Sequence, residues 1–265
     1  MNSDKTINTL LNAELPPSAD NALNNLTNKP TLSIGTTFAD LWDLVFGGIS
    51  YLSEKKKIEY AHKLELYRKE LEDSIKQIPP EKVTEPSIQV TAQALENSKY
   101  CVEEEELRHM FTSLISNSMN TDFSSNVHPS FAEILKQMSS LDAKILRLFK
   151  KKDNISIGLP VCQYCLNLDD PSSFTPLPDH IFFELPDVDF HLCSMSLSSL
   201  SRLGIVSISY LSRLTAPNTY EKFSTHPFYL DLKEHLPEPL TLSIRKGSVT
   251  LTPLGLSFVK VCVPD

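Results

Sequence analysis

The sequence predicts a mainly α-helical protein whose C-terminal part combines helices with strands in an α+β arrangement. Two observations favour this fold class: apolar residues recur with helical periodicity over residues 37–152, and short stretches of alternating polarity follow only after residue 204. A third is the scarcity of glycine, seven residues in 265, which leaves no glycine-rich phosphate-binding loop. We therefore expect a helical domain at residues 36–140 and an α+β domain at residues 141–265.

Residues 1–35 are rich in Asn, Ser, Thr, Asp and Pro and show little periodicity, which is typical of a disordered polar tail. The first residues carry neither the basic nor the apolar region of an export signal. We therefore expect a cytoplasmic protein whose five irregularly spaced cysteines are reduced. No apolar run approaches the ~20 residues that cross a bilayer, so no membrane span is expected.

The first strong helix signal covers residues 53–78. Apolar residues follow a period near 3.6 along one face, while the other face pairs Glu with Lys four residues further on. Pro79 and Pro80 end this helix, and a second helix is expected at residues 87–98. The apolar stripe of the 53–78 helix also suggests a surface through which a homo-oligomer forms.

Four consecutive carboxylates, Glu103–Glu106, begin the next helix. Negative charge in a first helical turn complements the helix dipole, so a structural role is a sufficient explanation. A helix start at residues 128–130 and a further helix capped by Ser140 follow, and Lys150–Lys152 are expected to close that last helix. The stripe predicted to be buried in the carboxylate-led helix is Leu107, Met110, Phe111, Leu114 and Ile115.

An alternative interpretation makes this region catalytic. If the fold brought the carboxylates together with a base, an effector-enzyme site would form from Glu104, Glu105, Arg108 and His128. The simpler interpretation of His128 is that it caps or packs at the start of a helix. No Ser–His–Asp or Cys–His order can be argued from the sequence, so a non-enzymatic protein is the first hypothesis.

The segments EEEELRHMFTSLISNSMN and VHPSFAEILKQMSSLDAKIL resemble the signature of the bacterial abortive infection alpha (Abi-alpha) proteins. The upstream run YLSEKKKIEYAHKLELYRKEL also resembles helices of that family, and the resemblance extends over residues 38–265. The resemblance implies a role in phage defence and assigns no catalytic task. The positions that match are Glu104, Glu105, Leu107, His128, Pro129, Leu135 and Asp142.

The C-terminal part has the element order of a winged-helix-like domain. A helical period ends at Gly204, and residues 205–211 then alternate like a strand. Two further alternating stretches flank Arg245–Ser248, which predicts a hairpin with a basic tip. A helix at 141–152 would come first, with an inserted loop at about 153–187. The apolar stripe expected on the second helix is Leu192, Met195, Leu197, Leu200 and Leu203.

Winged helices bind either DNA or protein. In the DNA alternative, Ser198 and Arg202 face the major groove, while Arg245 and Lys246 contact phosphates from the hairpin. Charge argues against this alternative, because residues 153–265 carry 7 basic and 12 acidic side chains. The sequence therefore favours a protein partner over nucleic acid.

Cys162 and Cys165 form a CxxC motif that invites comparison with structural zinc sites. The nearest further ligands are His180, His191 and Cys193. The long gap and the lack of a second CxxC do not follow zinc-site spacing, so we expect no metal and no other cofactor.

Overall fold

The computed structural model describes residues 40–47, 54–151, 154–156, 158–168 and 174–264. The tail predicted at residues 1–35 lies outside these ranges. None of the helices in the described ranges has the combined length and apolar content that crossing a membrane requires. These helices are α1 (40–46), α2 (Glu54–Lys76), α3 (Ile88–Ser98), α4 (Glu105–Ser118), α5 (Phe131–Lys136), α6 (Ser140–Arg147), α7 (Phe190–Arg202), α8 (Glu221–Thr225), α9 (Pro227–Glu234) and α10 (Pro253–Cys262).

A four-stranded antiparallel sheet occupies the C-terminal part, so the prediction of a helical region followed by a part that combines helices with strands is confirmed. Its strand order is β4–β3–β6–β5, and the pairing of β3 with β6 runs from Gly158 opposite Thr250 to Asn167 opposite Thr241. A separate two-stranded pair joins β1 to β2. The strands are β1 (Lys150–Lys151), β2 (Asn154–Ile155), β3 (Gly158–Asn167), β4 (Phe174–Pro176), β5 (Val206–Ser209) and β6 (Thr241–Leu251).

Helix α4 is the centre of the helical part. It packs against α2, α3, α5, α6 and α10, and a helix enclosed on so many sides needs apolar residues on most of its circumference. The predicted stripe is confirmed, since each of its five members is at most 3% exposed: Leu107, Met110, Phe111, Leu114 and Ile115.

Helix α2 confirms the prediction for residues 53–78 almost to the residue. The C-terminal part of its apolar stripe is buried at Tyr67, Leu71 and Ile75. Rings from α1 cover Tyr67, with the centroids of Trp42 and Phe46 at 5.6 and 6.4 Å from its own. The C-terminal part of the stripe that suggested a homo-oligomer is therefore covered by the chain itself, whereas Ala61 on the same helix is exposed.

Two predicted details around α6 are wrong. Ser139, rather than Ser140, caps this helix: its hydroxyl accepts from the Asp142 backbone N–H at 3.2 Å, and the Asp142 carboxylate accepts from the Ser139 backbone N–H at 2.7 Å. Lys150 and Lys151 do not close the helix, because it ends at Arg147 and both lysines belong to β1.

The two central strands differ from the sequence expectation. The segment expected to be an inserted loop at about 153–187 contains the ten-residue strand β3, which was missed because it is buried on both faces and shows no alternation. The predicted hairpin at Arg245–Ser248 is also wrong, since these residues lie inside the continuous strand β6.

One apolar core extends from Trp42 to Val263 and so includes residues of both predicted domains. A second, smaller cluster lies under the opposite face of the sheet, where α8 and α9 cover it. Its buried members are Cys162, Tyr164, Ile181, Tyr220 and Phe223. The sheet is therefore covered by the helical body on one face and by the α8–α9 segment on the other.

Candidate functional site

The charged residues proposed as an enzyme site serve structural contacts. Arg108 is 3% exposed and uses its whole fork: Nε and Nη2 donate to the Glu70 carboxylate at 2.9 and 3.1 Å, and Nη1 donates to the Val102 carbonyl at 3.1 Å. Glu104 precedes α4 and accepts from the Ser140 hydroxyl at 2.5 Å. Glu105 is exposed in the first turn of α4, where its charge complements the helix dipole.

His128 stands apart from that group. Its Nδ1 accepts from the Ser130 backbone N–H at 3.2 Å and lies 2.7 Å from the Ser130 hydroxyl, just before α5 begins. Within the described part of the chain, no hydrogen bond or ion pair joins His128 to Glu104, Glu105 or Arg108. These contacts support the interpretation of His128 as a group at a helix start.

Cys162 and Cys165 are both buried in β3. Because side chains alternate along a strand, residues three apart point to opposite faces of the sheet and do not form a shared pair of ligands. Burial raises the pKa of the Cys162 thiol to about 12, and burial also raises the pKa of Cys165. Both thiols are therefore protonated near neutral pH in the metal-free protein.

The remaining zinc candidates make other contacts or are buried. His191 makes a 3.1 Å contact between its Nδ1 and Asp179, His180 lies 2.7 Å from the Tyr210 hydroxyl, and Cys193 is buried in α7. In the residues that the structure describes, no three His, Cys, Asp or Glu side chains form a group that could hold a metal ion.

Helix α7, the predicted reading helix, is rotated relative to the expected stripe. Leu192 and Met195 are 49% and 65% exposed, whereas Ser194 and Ser196 are buried. The helix is oriented in this way because its inward side consists of Cys193, Ser196, Leu197 and Leu200. On that side the Ser196 hydroxyl donates to the buried carboxylate of Asp142 on α6. Leu197 and Leu200 are buried as predicted, whereas Leu192 and Met195, also expected inside, form an outward patch.

We call the exposed side of this helix the α7 outer face, defined by His191, Leu192, Met195, Ser198 and Arg202. Ser198 donates to the Ser194 carbonyl at 2.9 Å, and Arg202 contacts the Gln137 side chain at 3.4 Å. The face therefore combines two exposed apolar side chains with a single permanent cation. Sequence analysis missed the apolar part because it assigned Leu192 and Met195 to the core.

The two cations expected at a hairpin tip point to opposite faces of the sheet, because they are neighbours in β6. Arg245 lies over the rings of Phe174 and Tyr210, at 5.6 and 5.3 Å from their centroids. Lys246 lies 5.5 Å from the centroid of Tyr220. Arg245 and Lys246 therefore do not form a joint phosphate-contacting surface.

Comparison with known proteins agrees with the resemblance seen in the sequence. The family model described as abortive infection alpha matches residues 59–262, which is most of the chain and includes α4, α7 and all four strands of the main sheet. The searches of curated proteins and of solved structures gave no match. On the strength of the family match, the chain belongs to the abortive infection alpha family.

Proposed function

We propose that this protein acts in phage defence as a non-enzymatic interaction module that binds a protein partner through the α7 outer face. The family match supports the abortive-infection setting. The observation that carries the proposal is the exposure of Leu192 and Met195 on adjacent turns of a helix whose other side is fully packed. Methionine and other large apolar side chains are enriched at protein interfaces, and the flexible thioether adapts to its partner.

The charges around the patch indicate the chemistry of the partner. Asp187 and Asp189 are exposed at the N-terminal end of α7, one turn before Leu192. The cation of the face, Arg202, lies at the opposite end of the helix. A partner with an apolar side chain for the patch and basic residues for the acidic end complements this arrangement. Nucleic acid is a poorer match, because its phosphates would meet those carboxylates.

The proposal includes a winged-helix-like organisation for residues 141–265. The succession of α6, β3, α7, β5 and β6, with β6 between β3 and β5 in the sheet, supports it. In that arrangement α7 corresponds to the helix that winged-helix proteins present to their targets, which agrees with its exposed patch. A homo-oligomer through the 53–78 helix would have to use the N-terminal part of the apolar stripe, because Tyr67, Leu71 and Ile75 are covered within the chain.

A cytoplasmic location completes the proposal. All five cysteines are unpaired and buried, as expected of a protein that folds where thiols stay reduced. The enzyme alternative receives no comparable support, because Arg108 is held by Glu70 and His128 lies at a separate helix start.

The proposal is tested by capturing tagged protein from phage-infected cells and identifying what is bound. The bound partner is then purified, and its affinity is measured for three forms of this protein: the wild type, Met195→Glu and the control Leu230→Glu. Leu230 is 51% exposed on α9 and so offers the same change outside the α7 outer face. We expect Met195→Glu to weaken binding more than tenfold while Leu230→Glu leaves it unchanged.

Two outcomes would overturn the proposal. One is a partner whose affinity is equal for the wild type and Met195→Glu. The other is capture of nucleic acid that moderate salt releases, which would instead support the DNA-binding alternative.

A further inference from the structure

A cleft of about 620 Å³ opens between the segment that joins β5 to α8 and the face of β6 that carries Lys246. Its volume falls within the range of small-molecule sites. One part of its wall is cationic, from Arg213 and Lys246, and another is apolar, from Leu214 and Ile244. Glu221, which also lines the cleft, supplies a carboxylate. The cleft is separate from the α7 outer face and from the predicted carboxylate group.

The two cations in the cleft, unlike several others in the protein, lack a carboxylate partner. Within the described residues, neither Arg213 nor Lys246 forms an ion pair, although Glu221 lines the same cleft. By contrast, Arg108, Arg147 and Lys222 each contact a glutamate. An uncompensated pair of cations in a concave site attracts an anion.

Tyr220 holds the cationic wall in position. Its hydroxyl donates to the Gly247 carbonyl at 2.7 Å and accepts from the Leu214 N–H at 2.9 Å, which ties the β5–α8 segment to β6. Lys246 lies over its ring. Burial raises the pKa of the Tyr220 hydroxyl, while the Leu214 N–H and then the charge of Arg213 act in the opposite direction. Both cations therefore lie near one buried anchor, and the cleft is formed before a ligand arrives.

We propose that this cleft binds a nucleotide. Arg213 and Lys246 hold the phosphoryl group, for which an arginine fork is well suited. Leu214 and Ile244 provide the apolar contact for the base, and Glu221 accepts a hydrogen bond from a sugar hydroxyl or an exocyclic amine. The three parts of the wall thus match the three parts of the ligand. This inference does not depend on the protein partner proposed above.

The test is calorimetric titration of the purified full-length protein with AMP, GMP, CMP and UMP, and separately with inorganic phosphate and adenosine. We expect at least one nucleotide to bind, with inorganic phosphate and adenosine each at least tenfold weaker. Arg213→Ala and Lys246→Ala should each weaken nucleotide binding at least tenfold. Lys233→Ala, which removes an exposed lysine of α9 outside the cleft, should leave it unchanged.

Folding of each variant is checked by its thermal unfolding midpoint, which should match the wild type because both cleft cations are free of ion pairs among the described residues. Absence of binding for all four nucleotides would overturn the proposal. So would binding that both substitutions leave intact, or inorganic phosphate that binds as tightly as the nucleotides. If a single-stranded oligonucleotide bound more tightly than any mononucleotide, the proposal of a small nucleotide ligand would be overturned in favour of nucleic acid.

Discussion

The helical part and the sheet part of this protein use their charged side chains differently. In the helical part, Arg108 is enclosed and every arm of its guanidinium has a protein acceptor. In the sheet part, Arg213 and Lys246 face a cleft without a carboxylate partner in the described residues. The same residue type is therefore a structural element in one region and available for a ligand in the other.

This difference shows why a cluster of charges in a sequence is a weak guide to function. Four glutamates and an arginine at the start of α4 resemble a catalytic cluster in the sequence. In the fold, however, Arg108 is held by Glu70, Glu104 accepts from Ser140 and Glu106 pairs with Arg147. The scattered cations of the acidic C-terminal part look like ordinary surface residues, yet two of them meet in one concavity. Structural charges are distinguished from charges available for a ligand by whether they have a partner within the fold, not by how many charges lie close together in the sequence.

The largest effect is expected when the enclosed pair is broken. Arg108→Ala leaves the Glu70 carboxylate, 21% exposed, without its bidentate donor and should lower the free energy of unfolding by about 3 kcal/mol. Urea denaturation measures the loss. The matched control is Arg147→Ala, which breaks the more exposed contact with Glu106 and should cost less than about 1 kcal/mol. Equal losses in the two variants would remove the distinction between enclosed and surface pairs.

A smaller loss of stability is expected when the N-cap of α6 is removed. This cap lies at the junction of the two parts, because its Asp142 also accepts from Ser196 on α7. Ser139→Ala removes the hydroxyl that accepts from the Asp142 N–H, and should lower the free energy of unfolding by about 1 kcal/mol. Ser140→Ala removes only an exposed contact with Glu104 and should change stability by less than about 0.5 kcal/mol. Urea titration of both variants checks the order, and the reverse order would contradict the assignment of the cap to Ser139.

His180 should give the sheet part a pH dependence. Burial lowers the pKa of its imidazole below the ordinary 6.5, with Asp179 acting weakly in the opposite direction. The unfolded chain therefore binds the proton first, so stability falls as pH drops below about 6.5. His180→Gln should lose less stability than the wild type between pH 7 and pH 5, as measured by thermal unfolding. A steeper loss in the variant would contradict this sign.

The smallest effect on stability is expected in the cleft. Arg213→Ala and Lys246→Ala remove no ion pair among the described residues, and Lys246→Ala also removes the contact with the Tyr220 ring. Each should change the free energy of unfolding by less than about 1 kcal/mol. Urea denaturation alongside Arg108→Ala tests the contrast directly. A loss of more than about 1 kcal/mol in either cleft variant would indicate a structural role for its cation.

The helices were predictable because each is set by a local pattern. The period of α2 and the five-residue stripe of α4 are contained within their own segments, and the structure confirms both. Helix α7 shows the limit of such patterns. Its inward face includes Ser196, whose hydroxyl donates to the buried carboxylate of Asp142 on another helix. With this side turned inward, Leu192 and Met195 are exposed.

The sheet was not predictable for a related reason. Strand β3 pairs with β6, a strand far along the chain, and its buried residues show no alternation. In β6, Gly247 suggested a turn. The structure gives it another role: a Cβ there would lie 2.5 Å from the Ser209 carbonyl oxygen and 2.6 Å from the Tyr210 ring, so glycine permits the close approach of β5. The sequence alone could not distinguish a glycine in a turn from a glycine that allows two strands to approach closely.

The most direct measurement is phage protection in living bacteria, scored as plaque number over a panel of phages. Four chains are compared: the wild type, a Leu192→Ser/Met195→Ser double variant, Glu105→Gln, and the control Leu230→Ser. Equal amounts of folded protein are confirmed for each by immunoblot and thermal unfolding of the purified chain.

We expect the wild type, Glu105→Gln and Leu230→Ser to reduce plaque numbers equally, and the double variant to lose protection, because only it removes the apolar patch of the α7 outer face. Full protection by the double variant together with loss in Glu105→Gln would contradict the account and return the function to the carboxylates of α4.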